Sequence, residues 1–221
     1  MSDLVWSDWR GDVEAVQVLT IGHSTVPYER FLSLLHRAGV TAVADVRSAP
    51  YSRQYPHFSR DELSEELRQD GISYVFLGKE LGGRPSDRRF YCEGVADYEK
   101  MAQAPEFGKG LDRLVAGAEK HRIALMCSER EPLDCHRCLL VGRALVQRGV
   151  KVAHILHDGS IASHAQMEEK LLEITGRNTR DLFAPQAEQL AAAYRERGRK
   201  VAFTQPQADP HDTITAERSS G

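Results

Sequence analysis

The chain has 221 residues, 41% hydrophobic and 28% charged, with a formal net charge of −3, which leaves room for one sizeable domain plus an appendage. This balance sets up no basic field for nucleic acid or an anionic membrane, and no apolar run approaches the roughly 20 residues of a membrane span. The start, Met1 to Arg10, lacks the basic head and apolar segment of a secretory signal, so a cytoplasmic location is the default expectation.

Residues 1–15 are polar and unpatterned apart from Trp6 and Trp9 and read as a flexible arm. Residues 16–21 form the first expected strand, ending at Gly22-His23-Ser24. Pro27 suits the start of a helix whose apolar face is Phe31, Leu32, Leu34 and Leu35, stopped by Gly39. Residues 40–46 are the second strand, leaving the sheet at Asp45-Val-Arg47-Ser-Ala-Pro50. Ser59 and Glu62 have the spacing of a capping box for a helix running to Asp70, and residues 72–76 form the third strand. A long charged loop follows, from Leu77 to about Val95.

Leu111, Leu114, Val115 and Ala118 give core spacing to a helix over 105–122, before a fourth strand at 123–126. Residues 135–149 read as a helix and 150–155 as a fifth strand, with two amphipathic helices at about 163–175 and 184–198. The alternation predicts an α/β class. It is a three-layer Rossmann-like fold, with a mostly parallel sheet of about five strands and C-terminal helices packed on it. The domain is expected over 16–203, and 204–221 as a disordered tail.

Several motifs occur in order: Thr20-Ile-Gly-His23-Ser24, Asp45-Val-Arg47-Ser-x-Pro50, Leu77-Gly-x-Glu-Leu-Gly-Gly83 and Cys127-x-Glu129…Cys135-His136-Arg137. Asp181-Leu-Phe183 and Ala193-Tyr-Arg-x-Arg197 follow. Together they resemble the DUF488 family (domain of unknown function 488) over roughly residues 17–203. The resemblance implies a cytoplasmic α/β fold and no particular reaction. Cys138 departs from the family pattern, so a C-x-x-C device is not implied for the family.

In a parallel sheet His23/Ser24, Asp45/Arg47 and Cys127/Glu129 leave strands at one edge, and the helix start adds Cys135, His136 and Arg137. His23 is the expected acid/base, with Asp45 as its orienter or a metal or ribose ligand. Arg47 and Arg137, with Ser24, Cys135, His136 and the helix amides, are expected to hold an anionic group. Glu129 is a second acid/base or a partner of Arg137. The alternative is that Asp45–Arg47 and Glu129–Arg137 are structural ion pairs.

Cys127 reads as a nucleophile, a ligand or a small core residue. A phosphatase loop is a poor match, because Leu133 stands where its arginine belongs and Glu129, Glu131 and Asp134 would repel phosphate. No Walker phosphate loop is present. Cys135 and Cys138 have the redox C-x-x-C spacing, although Cys138 also shares a helical face with Gly142 and Leu145, which favours core burial. Cys127, Cys135 and Cys138 with His136, Cys92 or His23 are half of a zinc signature.

No cofactor is required by the sequence. Zinc and iron fit the donor set, and haem stays open. His154 and His157 read as supporting or structural groups. Tyr51, Tyr55, His57 and Phe58, with Arg53, read as a stacking surface or a plain cover.

The expected function is an enzyme acting on a small anionic or nucleotide-derived substrate. The alternatives are a metal- or ligand-binding sensor without turnover, or a thiol-redox protein using Cys135 and Cys138. Nucleic acid is the less favoured partner, and oligomeric state is left open.

Overall fold

The computed structural model describes residues 17–177 and 185–206, so the arm, the Asp181-Leu-Phe183 motif and the tail beyond 206 lie outside the described residues. The central sheet has six strands in the order β3-β2-β6-β1-β7-β8. They are β1 (Gln17–Gly22), β2 (Ala42–Asp45), β3 (Ser73–Phe76), β6 (Ile123–Cys127), β7 (Lys151–Ile155) and β8 (Ile161–Ser163). Every pair is parallel except β7–β8, and β1 lies between β6 and β7.

Side chains alternate across this sheet, and each face is covered. On one face Leu19, Ile21, Val43, Ala124 and Met126 meet α1 (Tyr28–Arg37) and α2 (Arg60–Gln69) through Phe31, Leu34, Leu35, Leu63 and Leu67. The core spacing of Phe31, Leu34 and Leu35 gives α1 its buried stripe, and Gly39, at φ +64°, lets the chain turn out of it. On the other face Val18, Leu125 and Cys127 pack with Leu111 and Leu114 of α5 (Pro105–Ala118) and with Leu140 and Leu145. Removing a side chain as buried as Phe31 would cost about 3–5 kcal/mol. A third cluster joins Cys138 and Leu139 to Met167 and Leu171 of α7 (His164–Ile174) and to Tyr194 of α8 (Gln186–Val201).

The expected strands and the three-layer class are present, with five local differences, the first being the extra antiparallel strand β8. The stretch read as a loop holds a short helix α3 (Gly78–Leu81) and a hairpin of β4 (Tyr91–Cys92) and β5 (Val95–Ala96), followed by α4 (Tyr98–Ala102). Thr204 pairs with Val95, so the chain is still docked at the start of the expected tail. The Ser59 capping box does not form: Ser59 Oγ accepts from the Ser52 N–H instead, and the capping box present is Ser163/Gln166 at α7. The helix expected over 135–149 is a π-helix, Arg137–Gly142, continued by α6 (Arg143–Gln147). A π segment shifts which residues share a face, and it often marks a functional position.

Candidate functional site

The parallel register brings the ends of β1, β2 and β6 to one edge. Gly22 stands opposite Cys127, and Val46 N–H donates to the Met126 carbonyl at 3.0 Å. Alternation then divides the expected site between the two faces. His23, two positions past the inward Ile21, points to the α1/α2 side. Cys127, two past Leu125, points to the α5 side.

On the first face Asp45, fully buried, accepts from Arg47 Nε at 2.9 Å, Arg47 Nη2 at 2.6 Å, the Arg47 backbone N–H at 3.0 Å and the Tyr74 hydroxyl at 2.7 Å. Arg47 Nη1 donates to the Phe58 carbonyl at 2.7 Å and lies 3.3 Å from His23 Nε2. Arg47 therefore separates Asp45 from His23, and the expected Asp45–His23 pair is absent. The reason is topological: β6 lies between the strands that carry them. Instead, His23 stacks on Phe58 at 4.1 Å and its Nδ1 lies 2.8 Å from its neighbour's carbonyl, that of Ser24. Burial, reinforced by the Arg47 charge, lowers the His23 pKa to about 4.

On the second face Cys127 Sγ, Cys135 Sγ and His136 Nδ1 converge within 4.8 Å, all buried. Each sulfur lies 3.8 Å from His136 Nδ1. His136 Nε2 is 2.9 Å from the Val46 carbonyl, which can only accept, so the ring proton sits on Nε2 and Nδ1 turns its lone pair to the sulfurs. Gly83 makes room for that ring, since a Cβ there would come 2.8 Å from Nδ1.

Arg137 is wholly buried and donates to the carbonyls of Glu129 at 2.6 Å and Arg130 at 2.9 Å, while its Nε has no partner. No carboxylate is in ion-pair distance of it among the described residues, so the expected Glu129–Arg137 pair is replaced by backbone contacts. The Arg137 backbone N–H donates to Cys135 Sγ at 3.4 Å. Burial opposes ionisation of Cys135. A hydrogen bond from Cys127 and the charge of Arg137 outweigh it, and the thiol is held well below its ordinary pKa. Donating that hydrogen bond, together with burial, pushes Cys127 up.

A cavity of about 480 Å³ opens beside these sulfurs, lined by Arg84, Tyr98, Glu129 and Phe203 among others, and Cys127, Cys135, His136 and Arg47 reach its wall. Ser24, His23 and Asp45 do not. Glu129 is exposed, yet partial burial of its carboxyl and the charge of Cys135 raise its pKa. Arg84 is exposed and stacks over the Phe203 ring at 4.9 Å. The sequence reading missed Arg84, Gly83 and the Val46 carbonyl. Only Arg84, a cation after the paired glycines, left a readable signal.

Cys138 leaves the expected thiol cluster. Its sulfur groups with His154 and His164, 3.9 Å from His154 Nε2, whereas Cys135 groups with Cys127 and His136. Cys138 is buried at 1% exposure, as its helical face suggested, and Cys135 stands apart from it, still extended (φ −140°, ψ 142°) ahead of the helix that carries Cys138. No helix among the described residues is long and apolar enough to cross a membrane.

A model of the DUF488 family, described as a domain of unknown function, matches residues 27–144, more than half of the chain. No curated protein and no solved structure matches.

Proposed function

The chain belongs to the DUF488 family, and we propose that it is an enzyme whose Cys127, Cys135 and His136 hold a metal ion beside a cavity for a small anionic or nucleotide-derived molecule. The observation that carries this reading is the convergence of two sulfurs and a tautomer-fixed imidazole nitrogen at 3.8 Å spacing next to that cavity. Three protein ligands with one position left open is the arrangement of catalytic zinc, whereas structural zinc takes four. Two thiolates and a neutral imidazole also balance a divalent ion, which suits a buried position.

Zinc held there would act as a Lewis acid on an oxygen of the bound molecule. The chain supplies the rest. Arg84 at the cavity mouth attracts the anionic group, since the Arg47 guanidinium is already spent on Asp45 and Phe58. Glu129, with its raised pKa, can take up or deliver a proton. Phe203 and Tyr98 give the cavity apolar wall. His23 and Asp45 act as supports behind Arg47. In this reading the protein is cytoplasmic, where four free thiols stay reduced.

The test is a ligand screen by thermal shift, on zinc-loaded and zinc-free protein, against nucleotides and phosphorylated metabolites, followed by turnover assays on the hits. Zinc-dependent stabilisation is expected, with turnover lost in Glu129→Gln while zinc and ligand still bind. Turnover that survives Cys127→Ser with Cys135→Ser would contradict the proposal. A second reading, thiol–disulfide chemistry, is favoured by the approach of Cys127 Sγ and Cys135 Sγ to within 4.8 Å of each other. A reversible Cys127–Cys135 disulfide without metal uptake would establish it instead.

A further inference from the structure

Behind the first cluster lies another that this function does not use. Cys138 from the π-helix, His154 from β7 and His164 at the start of α7 bring Sγ, Nε2 and Nδ1 within 4.8 Å, with residue exposures of 1%, 0% and 3%. Their outward nitrogens are already partnered. His154 Nδ1 lies 2.8 Å from Thr20 Oγ1, and His164 Nε2 lies 2.8 Å from the Tyr194 hydroxyl, which donates to Glu168 at 3.0 Å. Oxygen partners on the outer nitrogens orient imidazoles for a metal on the inner ones. The inner nitrogens face each other at 3.0 Å, with the thiol alongside.

We propose that Cys138, His154 and His164 form a second metal site, closed to solvent, that takes a monovalent soft ion of the cuprous class through one thiolate and two imidazoles. Charge and coordination choose the ion. One thiolate and two neutral rings cancel a single positive charge, whereas a divalent ion would leave a net charge in a dry interior. The surroundings are Leu139, Met167 and Leu171, which offer no strong fourth donor of the kind zinc requires. Glu168 stands beyond the outer nitrogen of His164, at 3.9 Å, and not on the inner side. Gly142 closes the backbone against the His164 ring, at 3.1 Å from a Cβ built there. Because the pocket is sealed, the ion enters as the chain folds.

The experiment uses the whole chain, refolded without oxygen in the presence of excess zinc and one equivalent of Cu(I), and records the copper-edge X-ray absorption spectrum. One sulfur and two nitrogens about copper, with the zinc retained, is the expected result. Cys138→Ala and His164→Gln are each expected to lower Cu(I) affinity about 100-fold while zinc content stays unchanged. Copper bound by two sulfurs, no copper uptake, or an unchanged affinity in Cys138→Ala would overturn the proposal. The wild-type spectrum decides even if a variant fails to fold. It also decides if the first site takes no zinc, since that site would give copper two sulfurs and one nitrogen.

Discussion

Replacing Asp45 by asparagine keeps the shape of the side chain and removes its charge. In the native fold the carboxylate accepts from three Arg47 donors and the Tyr74 hydroxyl, and neither Asp45 nor Arg47 is more than 4% exposed. An asparagine offers one oxygen where four donors converge, and its own NH₂ then faces other donors. Arg47 is left as a buried cation without a counter-charge. Breaking a buried pair in this way costs about 3–5 kcal/mol, a large part of the about 5–15 kcal/mol that holds a typical domain together. With a urea m-value of about 2 kcal/mol/M, the midpoint of an unfolding curve followed by circular dichroism should fall by roughly 2 M. The double variant Asp45→Ala with Arg47→Met should lose clearly less than the sum of the single variants, since it strands no charge. A loss below about 1 kcal/mol in Asp45→Asn, or strict additivity in the double variant, would refute the assignment of Asp45 to a structural pair.

Acid should destabilise the fold through His23. It is held neutral down to about pH 4 in the folded chain but takes a proton near pH 6.5 when unfolded. Its contribution is therefore whole above pH 6.5 and declines toward pH 4, by about 2–3 kcal/mol at pH 4.5. Urea midpoints at pH 7.5 and pH 4.5 measure the loss, and an undiminished pH dependence in His23→Gln would assign it elsewhere. Gly83→Ala drives a methyl against the His136 ring and should weaken zinc binding about 10-fold in a chelator competition; unchanged affinity would mean that the ring does not ligate. Tyr194→Phe strips the acceptor from His164 Nε2 and should cost about 1–3 kcal/mol of unfolding free energy, whereas a silent substitution would show that the buried chain of bonds is not formed.

Strand order along the chain, the parallel sheet and the helices over each face were readable because each strand is a short apolar run between turn signals, and Leu111 and Leu114 recur at helical spacing. The ends of β1, β2 and β6 do meet at one edge, as the parallel alternation implied. Which face each residue takes was not readable from motifs alone, although alternation past Ile21 and Leu125 contains the answer once the register is known. β8 escaped notice because Ile161–Ser163 is too short to show a period. Cys135 is still extended while Cys138 lies in the helix that follows, so a C-x-x-C spacing suggested a pair that the backbone sets apart. Ser59 had a capping sequence, but the preceding loop folds back and Ser52 takes its oxygen. His164 was invisible as a site residue because its partners, Cys138 and His154, come from different elements of the fold.

The most direct test of the central claim is a zinc titration of the purified, reduced chain against a chromophoric chelator, run beside Cys135→Ser and His136→Gln. One zinc per chain is expected at this site, protecting the Cys127 and Cys135 thiols from alkylation, with affinity collapsing in both variants. Thiols that alkylate equally with and without zinc, or affinity unchanged in Cys135→Ser, would contradict the metal site and return Cys127 and Cys135 to thiol chemistry.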